Sequence, residues 1–300
     1  MNLIVGSTGL LGGEICRRLA SNRKPVRALV RPTGEASRLD SLRKAGAELV
    51  TGDLKDPATL RAACAGAAAV FSTASSTFSR QAGDSIDSVD RLGQLALVEA
   101  AKAAGVKHFV YVSFSPMAED FALQRAKREV EQAVIASGMA YTILRPTFFM
   151  EIWLSPAVGF DIAGRHARIY GSGEHAISWI SFANVADFAV QSLDSPAARN
   201  ATLLLGGPEA LSPLQVVRIF EELAGAPFAV EHMLESVLRA GKQAARTALD
   251  EAFAALSLCY AHGDVIDMRA TLEAMPVRLA SVREYAQWML GEGRAEATEA

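Results

Sequence analysis

Short apolar runs alternate with longer amphipathic stretches through the first half of the chain. Residues 3–5, 26–30, 48–51, 67–72, 108–113 and 141–145 read as six strands. Between them the apolar spacing turns helical: from Gly12 through Ile15 and Leu19, over 34–45 up to Gly46, and onward from Pro57. It does so again over 84–104, where Leu92, Leu95 and Val98 share a face before Gly105, and over 119–137 before Gly138. Strands and helices alternating at this interval predict an α/β fold built on a doubly wound parallel sheet with right-handed crossovers. The uninterrupted Phe109-Val110-Tyr111-Val112 suits a strand covered on both faces. After Met150 the regularity breaks. Residues 151–176 hold Trp153, Phe160 and Tyr170 among glycines with no clear period. Beyond them the pattern predicts a short strand at 177–181, a helix at 184–193 and a strand at 202–205. Next come a helix opened by Ser212-Pro213, a strand at 228–232, a helical stretch over 233–260 and a last helix at 281–290.

The first strand runs into Gly6, Gly9 and Gly12 and then into a helix. In a strand–turn–helix setting such glycines allow a tight turn, close approach of backbone N–H groups to a pyrophosphate, and packing of helix on strand. The helix N-terminus adds partial positive charge. Arg31 ends the second strand 19 residues after Gly12, where NAD-binding folds usually carry an acidic group for the ribose 2′-hydroxyl. A guanidinium there suits a 2′-phosphate, so NADP(H) is expected in preference to NAD(H). Asp53, with Leu54 beside it, ends the third strand. It is a candidate acceptor for the adenine amino group, although Asp53 or Asp56 could equally cap the helix that begins near Pro57. Thr73, Ala74 and Ser75 follow the fourth strand as small residues suited to passage beside a dinucleotide.

Composition narrows the classes. Half of the 300 residues are hydrophobic and the net charge is −3 with both signs dispersed, which supports a sizeable core and gives no nucleic-acid footprint. No apolar run reaches the length of a membrane span, and the start lacks the features of a signal peptide. Cys16, Cys64 and Cys259 have no metal-like or disulfide-like spacing, so reduced thiols and a cytoplasmic location are expected. The five histidines are scattered, and no metal is expected.

The pieces GSTGLLG at 6–12, Arg31, GDL at 52–54, FVYVS at 109–113, Lys127 and YTILRPTFFME at 141–151 resemble the atypical short-chain dehydrogenases of the NmrA-like group. So do SWISFANVADFAV at 178–190 and LLGGPEALSPLQVV at 204–217. The resemblance covers about the first 220 residues. It implies a Rossmann-type NADP(H)-binding domain over 1–150 with returning segments around 178–205. A smaller C-terminal α/β substrate-side unit over 151–290 and a flexible tail at 291–300 complete the expected organisation. Carried onto this chain, it places Gly6, Thr8, Gly9, Leu10, Leu11 and Gly12 around the pyrophosphate and Arg31 on the 2′-phosphate. Lys127 falls on the nicotinamide ribose, and Pro146, Thr147, Phe148 and Phe149 near the nicotinamide.

Members of that group include reductases of quinones, dyes and isoflavonoids, and also cofactor-binding redox sensors. Typical short-chain dehydrogenases carry a Tyr four residues before the active-site Lys; here that residue is Leu123. A positioned phenol commonly contributes about 10²–10⁴-fold in rate, so the expected substrates are small, apolar acceptors that need little acid help. Phe149, Met150 and Trp153 are expected to face substrate, and Ser113 or Ser115 to meet a substrate oxygen. Ordinary packing between domains, a solvated Lys127 and plain loop serines are the competing readings of these residues. The expected function is hydride transfer from NADPH to an aromatic or quinone-like molecule by a monomer or homodimer. The alternative is an NADP(H) sensor that passes its state to a protein partner.

Overall fold

Each apolar run of the first half forms a strand, and the six take the order expected for a dinucleotide fold. The computed structural model describes the backbone at residues 1–79 and 81–298 and side chains as far as residue 291. In chain order the elements are β1 Asn2–Val5, α1 Leu10–Ser21, β2 Val26–Val30, α2 Ala36–Lys44, β3 Glu48–Thr51, α3 Pro57–Cys64 and β4 Ala69–Ser72. A π-helical stretch Ile86–Gly93 then leads into α4 Gln94–Ala103, followed by β5 His108–Val112, α5 Ala122–Ala136 and β6 Ala140–Pro146. The second half contributes α6 Met150–Trp153, β7 Phe160–Asp161, β8 His166–Tyr170, α7 Phe182–Gln191, β9 Ala201–Leu205 and α8 Pro213–Ala224. Last come β10 Ala229–Met233, α9 Glu235–Gln243, α10 Ala248–His262, α11 Arg269–Ala274 and α12 Val282–Thr298.

Seven strands form one sheet in the order β3-β2-β1-β4-β5-β6-β9, and every neighbouring pair is parallel. Strand order reverses between β1 and β4, so the crevice at their carboxyl ends is where such sheets bind ligands. Alternation along the strands feeds two cores. Ile4, Val110 and Val112 pack with α1 and α7 on one face. Leu3, Val5, Phe109 and Tyr111 pack with α3, α4 and α5 on the other. Asp56 accepts the N–H of Ala58 and Pro57 opens the helix, so capping of α3 falls to Asp56 and not to Asp53.

The second half departs from its sequence pattern in four places. Residues 177–181 make isolated bridges, Ile177 to Leu211 and Asp264 and Ile180 to Phe149, in place of a strand; each end serves a different neighbour, so no ladder forms. The irregular 151–176 segment contains β7 and β8, which join β10 in a three-stranded sheet. Strand β8 alternates outward and inward, with outward Arg168 pairing with Glu231 at 3.1 Å, but over only five residues among glycines, which makes its period weak. The helical stretch at 233–260 is two helices, with Thr247 accepting the N–H of Asp250 to start the second. Helix α12 carries the backbone to Thr298, into the segment expected as a tail; residues 299 and 300 lie outside the described residues. Phe148, Trp153, Tyr170, Trp179 and Tyr260 form the aromatic centre of a separate hydrophobic core in the second half. Among the described residues no helix is long and apolar enough to cross a membrane.

Candidate functional site

The turn after β1 is held by close backbone contacts. Gly6 has a φ of +86°, the left-handed region that a Cβ disfavours. Its α-carbon faces Thr73 and Ala74 of the loop after β4, where a methyl would lie 2.7 Å from the Ala74 nitrogen. Gly12 sits under Gly6, and a methyl on it would stand 2.2 Å from the Gly6 carbonyl oxygen. Thr73 donates its hydroxyl to the Val5 carbonyl at 3.2 Å. Gly9 and Leu10 are exposed, no side chain caps α1, and its first turn holds no acidic residue. The first-turn N–H groups of a helix have no intrahelical acceptor. Here they face the crevice mouth with neither a capping group nor a carboxylate in the way, a surface that fits a pyrophosphate. Leu11 and Gly12 are buried against the sheet, so only their backbone can face a ligand.

Near the carboxyl ends of β2 and β3 three cations gather. Arg31, one-third exposed, donates to Asp84 at 2.6 Å. Lys55 binds the other oxygen of Asp84 and lies 3.4 Å from Asp53. Arg38, at the start of α2, donates to the Thr8 carbonyl at 2.6 Å and so touches the glycine turn. Asp53 accepts the backbone N–H of Lys55 at 2.8 Å and is partly exposed at the end of β3. Leu54 points inward, into the core under α3 and α4. Lys55 and Arg38 escaped the sequence reading. Only the convergence of the β2 and β3 ends brings them to Arg31 and Thr8.

Under the middle of the crevice lies a buried polar line that sequence reasoning also missed. Asp90, in the π-helical stretch, is fully buried. One of its oxygens accepts from the Ser76 N–H at 2.9 Å and the Ser76 hydroxyl at 2.6 Å. Its other oxygen lies 3.7 Å from the Lys127 ammonium. One turn on, Gln94 accepts from the Ser72 hydroxyl at 2.7 Å and donates to the Ala74 carbonyl at 3.0 Å. Asp90 and Gln94 thus fix the loop that carries Thr73, Ala74 and Ser75. Lys127 is buried, lies over the Tyr111 ring at 5.2 Å and reaches the Val112 carbonyl at 3.5 Å. Burial pushes its pKa down, and Asp90 opposes that shift.

The position four residues before it, Leu123, packs with Ile86 and Phe121. Tyr111 does not replace the absent phenol. Its hydroxyl is enclosed without a hydrogen-bond partner among the described residues, and burial pushes its pKa well above the usual phenol value.

The expected substrate contacts separate. Ser113 accepts from Arg128 at 3.2 Å beside Glu131, which Arg128 and Arg145 clamp from two sides. Its hydroxyl therefore belongs to an ion network and does not open to the crevice. Ser115 donates to Asp264. Met150 is fully buried, and Trp153 stacks on Tyr260 with ring centroids 5.2 Å apart. Both are core residues here, because α6 turns them into the hydrophobic cluster of the second half. Phe149 packs on Phe182. Phe148 reaches a recess of about 60 Å³ lined also by Met117, Cys259, His262 and Asp264. A larger recess of about 300 Å³ is lined by the adjoining Glu119 and Leu258 together with Arg239, Lys242 and Glu251. Pro146 ends β6, and the hydroxyl of buried Thr147 has no hydrogen-bond partner among the described residues.

Glu151, beside this segment, accepts the Phe182 N–H with both oxygens, at 2.9 and 3.1 Å. Burial pushes its pKa up to about 7 against those backbone bonds. A carboxyl with a raised folded pKa adds stability below its unfolded pKa and loses it as pH rises through the folded one. Glu151→Gln is therefore expected to raise the thermal midpoint at about pH 8 by several degrees, on the order of 2 kcal/mol, and to change it little near pH 4. Calorimetric scans at the two pH values check this.

Comparison with known proteins gives the family and the fold. A model of the NmrA-like family matches residues 2–286. An NAD(P)H azoreductase of Xenophilus azovorans is 36% identical over 76% of this chain and 75% of its own length. A photosystem II assembly factor Ycf39 of Trieres chinensis is 32% identical over 74% of this chain and 69% of its own. Among solved structures, an NADPH-dependent quinone oxidoreductase of Escherichia coli complexed with NADPH superposes with a TM-score of 0.76 at 22% identity. That superposition covers 97% of this chain and all of the other. At that identity the likeness is one of fold.

Proposed function

The chain belongs to the NmrA-like family, and from that premise we propose that it is an NADPH-dependent reductase of a small, apolar, electron-poor acceptor of the quinone or azo kind. The observation that carries the proposal is the crevice between β1 and β4, with the uncapped start of α1 at its mouth and Arg31, Lys55 and Arg38 at one end. When bound, NADPH supplies the hydride. The α1 N-terminus with Thr8, Gly9 and Leu10 takes the pyrophosphate. Arg31 takes the 2′-phosphate, and Asp53 takes the adenine amino group. Thr73, Ala74 and Ser75 line the dinucleotide's path. Lys127, steadied by Asp90, holds the nicotinamide ribose, and the unpaired Thr147 hydroxyl serves the carboxamide end. Phe148 and Phe149 lie near the nicotinamide end, where the acceptor meets the hydride.

Leu123 leaves the crevice without the usual phenol, so acceptors that take hydride without a strong acid suit it best. Purified protein with NADPH is expected to reduce members of a panel of quinones and azo dyes, followed by loss of the reduced nicotinamide absorbance. Tight coenzyme binding with no turnover across the panel would overturn the reductase reading. It would favour the second one, a sensor of coenzyme redox state, which Leu123 and the likeness to an assembly factor support.

Arg31→Ala is expected to weaken NADPH about ten- to a hundredfold and to leave NADH within about threefold, the size of a charge-assisted contact. Equal losses for both coenzymes in a fluorescence titration would remove Arg31 from the phosphate.

A further inference from the structure

The cations assigned to a 2′-phosphate are already engaged by an anion of the chain itself. Asp84 ends the loop that follows β4, and its side chain is 3% exposed. Donors surround its two oxygens. Arg31 and the Ser79 hydroxyl meet one, and the Lys55 ammonium meets the other. Burial alone would raise its pKa, but Lys55, Ser79 and Arg31 outweigh it and hold the carboxyl below the usual range. A carboxylate held by one guanidinium N–H, a hydroxyl and an ammonium is met by donors of the kind that meet a phosphate monoester. The loop is tied down a second time at this end, where Thr33 donates to Gln81 at 2.8 Å. Arg31 is one-third exposed, so an incoming oxyanion can reach it from solvent.

We propose that Asp84 is an internal stand-in for the 2′-phosphate and sets how strongly the protein discriminates NADPH from NADH. NADH leaves the Asp84 contacts in place. NADPH brings a second anion to Arg31 and Lys55, and must displace the carboxylate or bind against its charge. The native preference for NADPH is thereby compressed. This rests on the reading of Arg31 as the phosphate ligand.

The test is calorimetric titration of the full chain and its Asp84→Asn and Asp84→Ser variants with NADPH, NADH and adenosine 2′,5′-bisphosphate. The amide keeps the shape of Asp84 and one acceptor oxygen while removing its charge, and Asp84→Ser controls for the bond that the NH₂ group cannot accept. Asp84→Asn is expected to tighten NADPH and the bisphosphate about tenfold and to move NADH by less than about threefold. Asp84→Ser should move them in the same direction, and added salt should shrink the gain. Unchanged or weaker NADPH binding in both variants overturns the proposal, and weakening would mark Asp84 as a residue that merely positions Arg31. Native protein that binds neither coenzyme would overturn the dinucleotide reading itself. Native binding without a change in the NADPH-to-NADH ratio of the variants would overturn only the role of Asp84.

Discussion

Gly12→Ala is expected to lose NADPH binding by at least about a hundredfold and to unfold several degrees earlier. The added methyl would stand 2.2 Å from the Gly6 carbonyl oxygen, 2.7 Å from its carbon and 2.9 Å from the Thr73 hydroxyl. Two of these atoms are backbone, and the backbone they belong to is the turn itself. Relief requires α1 to move away from β1 or Gly6 to leave its left-handed conformation. Either movement shifts the first-turn N–H groups that would meet the pyrophosphate. Overpacking of this kind costs about 1–3 kcal/mol, and a misplacement of about 1 Å in a binding element can cost about a hundredfold. Calorimetry with NADPH and a thermal scan measure both effects. Native affinity in Gly12→Ala would show that the turn does not contact the coenzyme.

Asp90→Ala is expected to have the second largest effect, a loss of about 3–5 kcal/mol, which is much of the stability of an ordinary domain. Alanine strands the buried Lys127 ammonium and leaves the Ser76 N–H and hydroxyl without their acceptor. The pH dependence separates this from a simple cavity. Lys127 gives up its proton more readily folded than unfolded. Wherever only the unfolded chain holds that proton, stability rises with pH. Removing Asp90 takes away the charge that opposes the shift, so this window extends to lower pH. The deficit of Asp90→Ala should therefore be smaller near pH 9 than near pH 6, as read from urea unfolding at the two values. A deficit independent of pH would mean that Lys127 is not the group left unpaired. Because Ser76 fixes the loop of Thr73 to Ser75, coenzyme affinity should fall in the same variant even where it stays folded.

Strand bounds in the first half were legible because β1, β4 and β5 are buried throughout and read as short apolar blocks, while the half-exposed edge strand β3 is bracketed by Gly46 and Gly52. Residues 26–30 and 48–51 fall on β2 and β3 residue for residue. In the second half β8 was hidden. His166 to Ile169 alternates outward and inward, but the run is only five residues long, lies among glycines and pairs in part with β10 some sixty residues away, so a period this short did not stand out. The helix at 84–104 was visible, but its first half is π-helical and places Asp90 on an inward face that ordinary helical spacing does not single out. Met150 and Trp153 show the converse. Large apolar residues past a strand end look alike in sequence whether they meet a ligand or a core, and only the path of α6 turned these two inward.

The order of residues along the chain was enough to settle the doubly wound sheet, the glycine turn and the basic group at the end of β2. These depend on the side-chain period and on steric demands within a few neighbouring residues. Which charges meet was decided by the tertiary structure alone. Arg31, Lys55 and Asp84 come from three separate connections, and Ser76, Asp90 and Lys127 from a loop and two helices. Such contacts depend on how the strand ends converge in space, and on burial that makes an unpaired charge costly, and neither leaves a mark on local spacing.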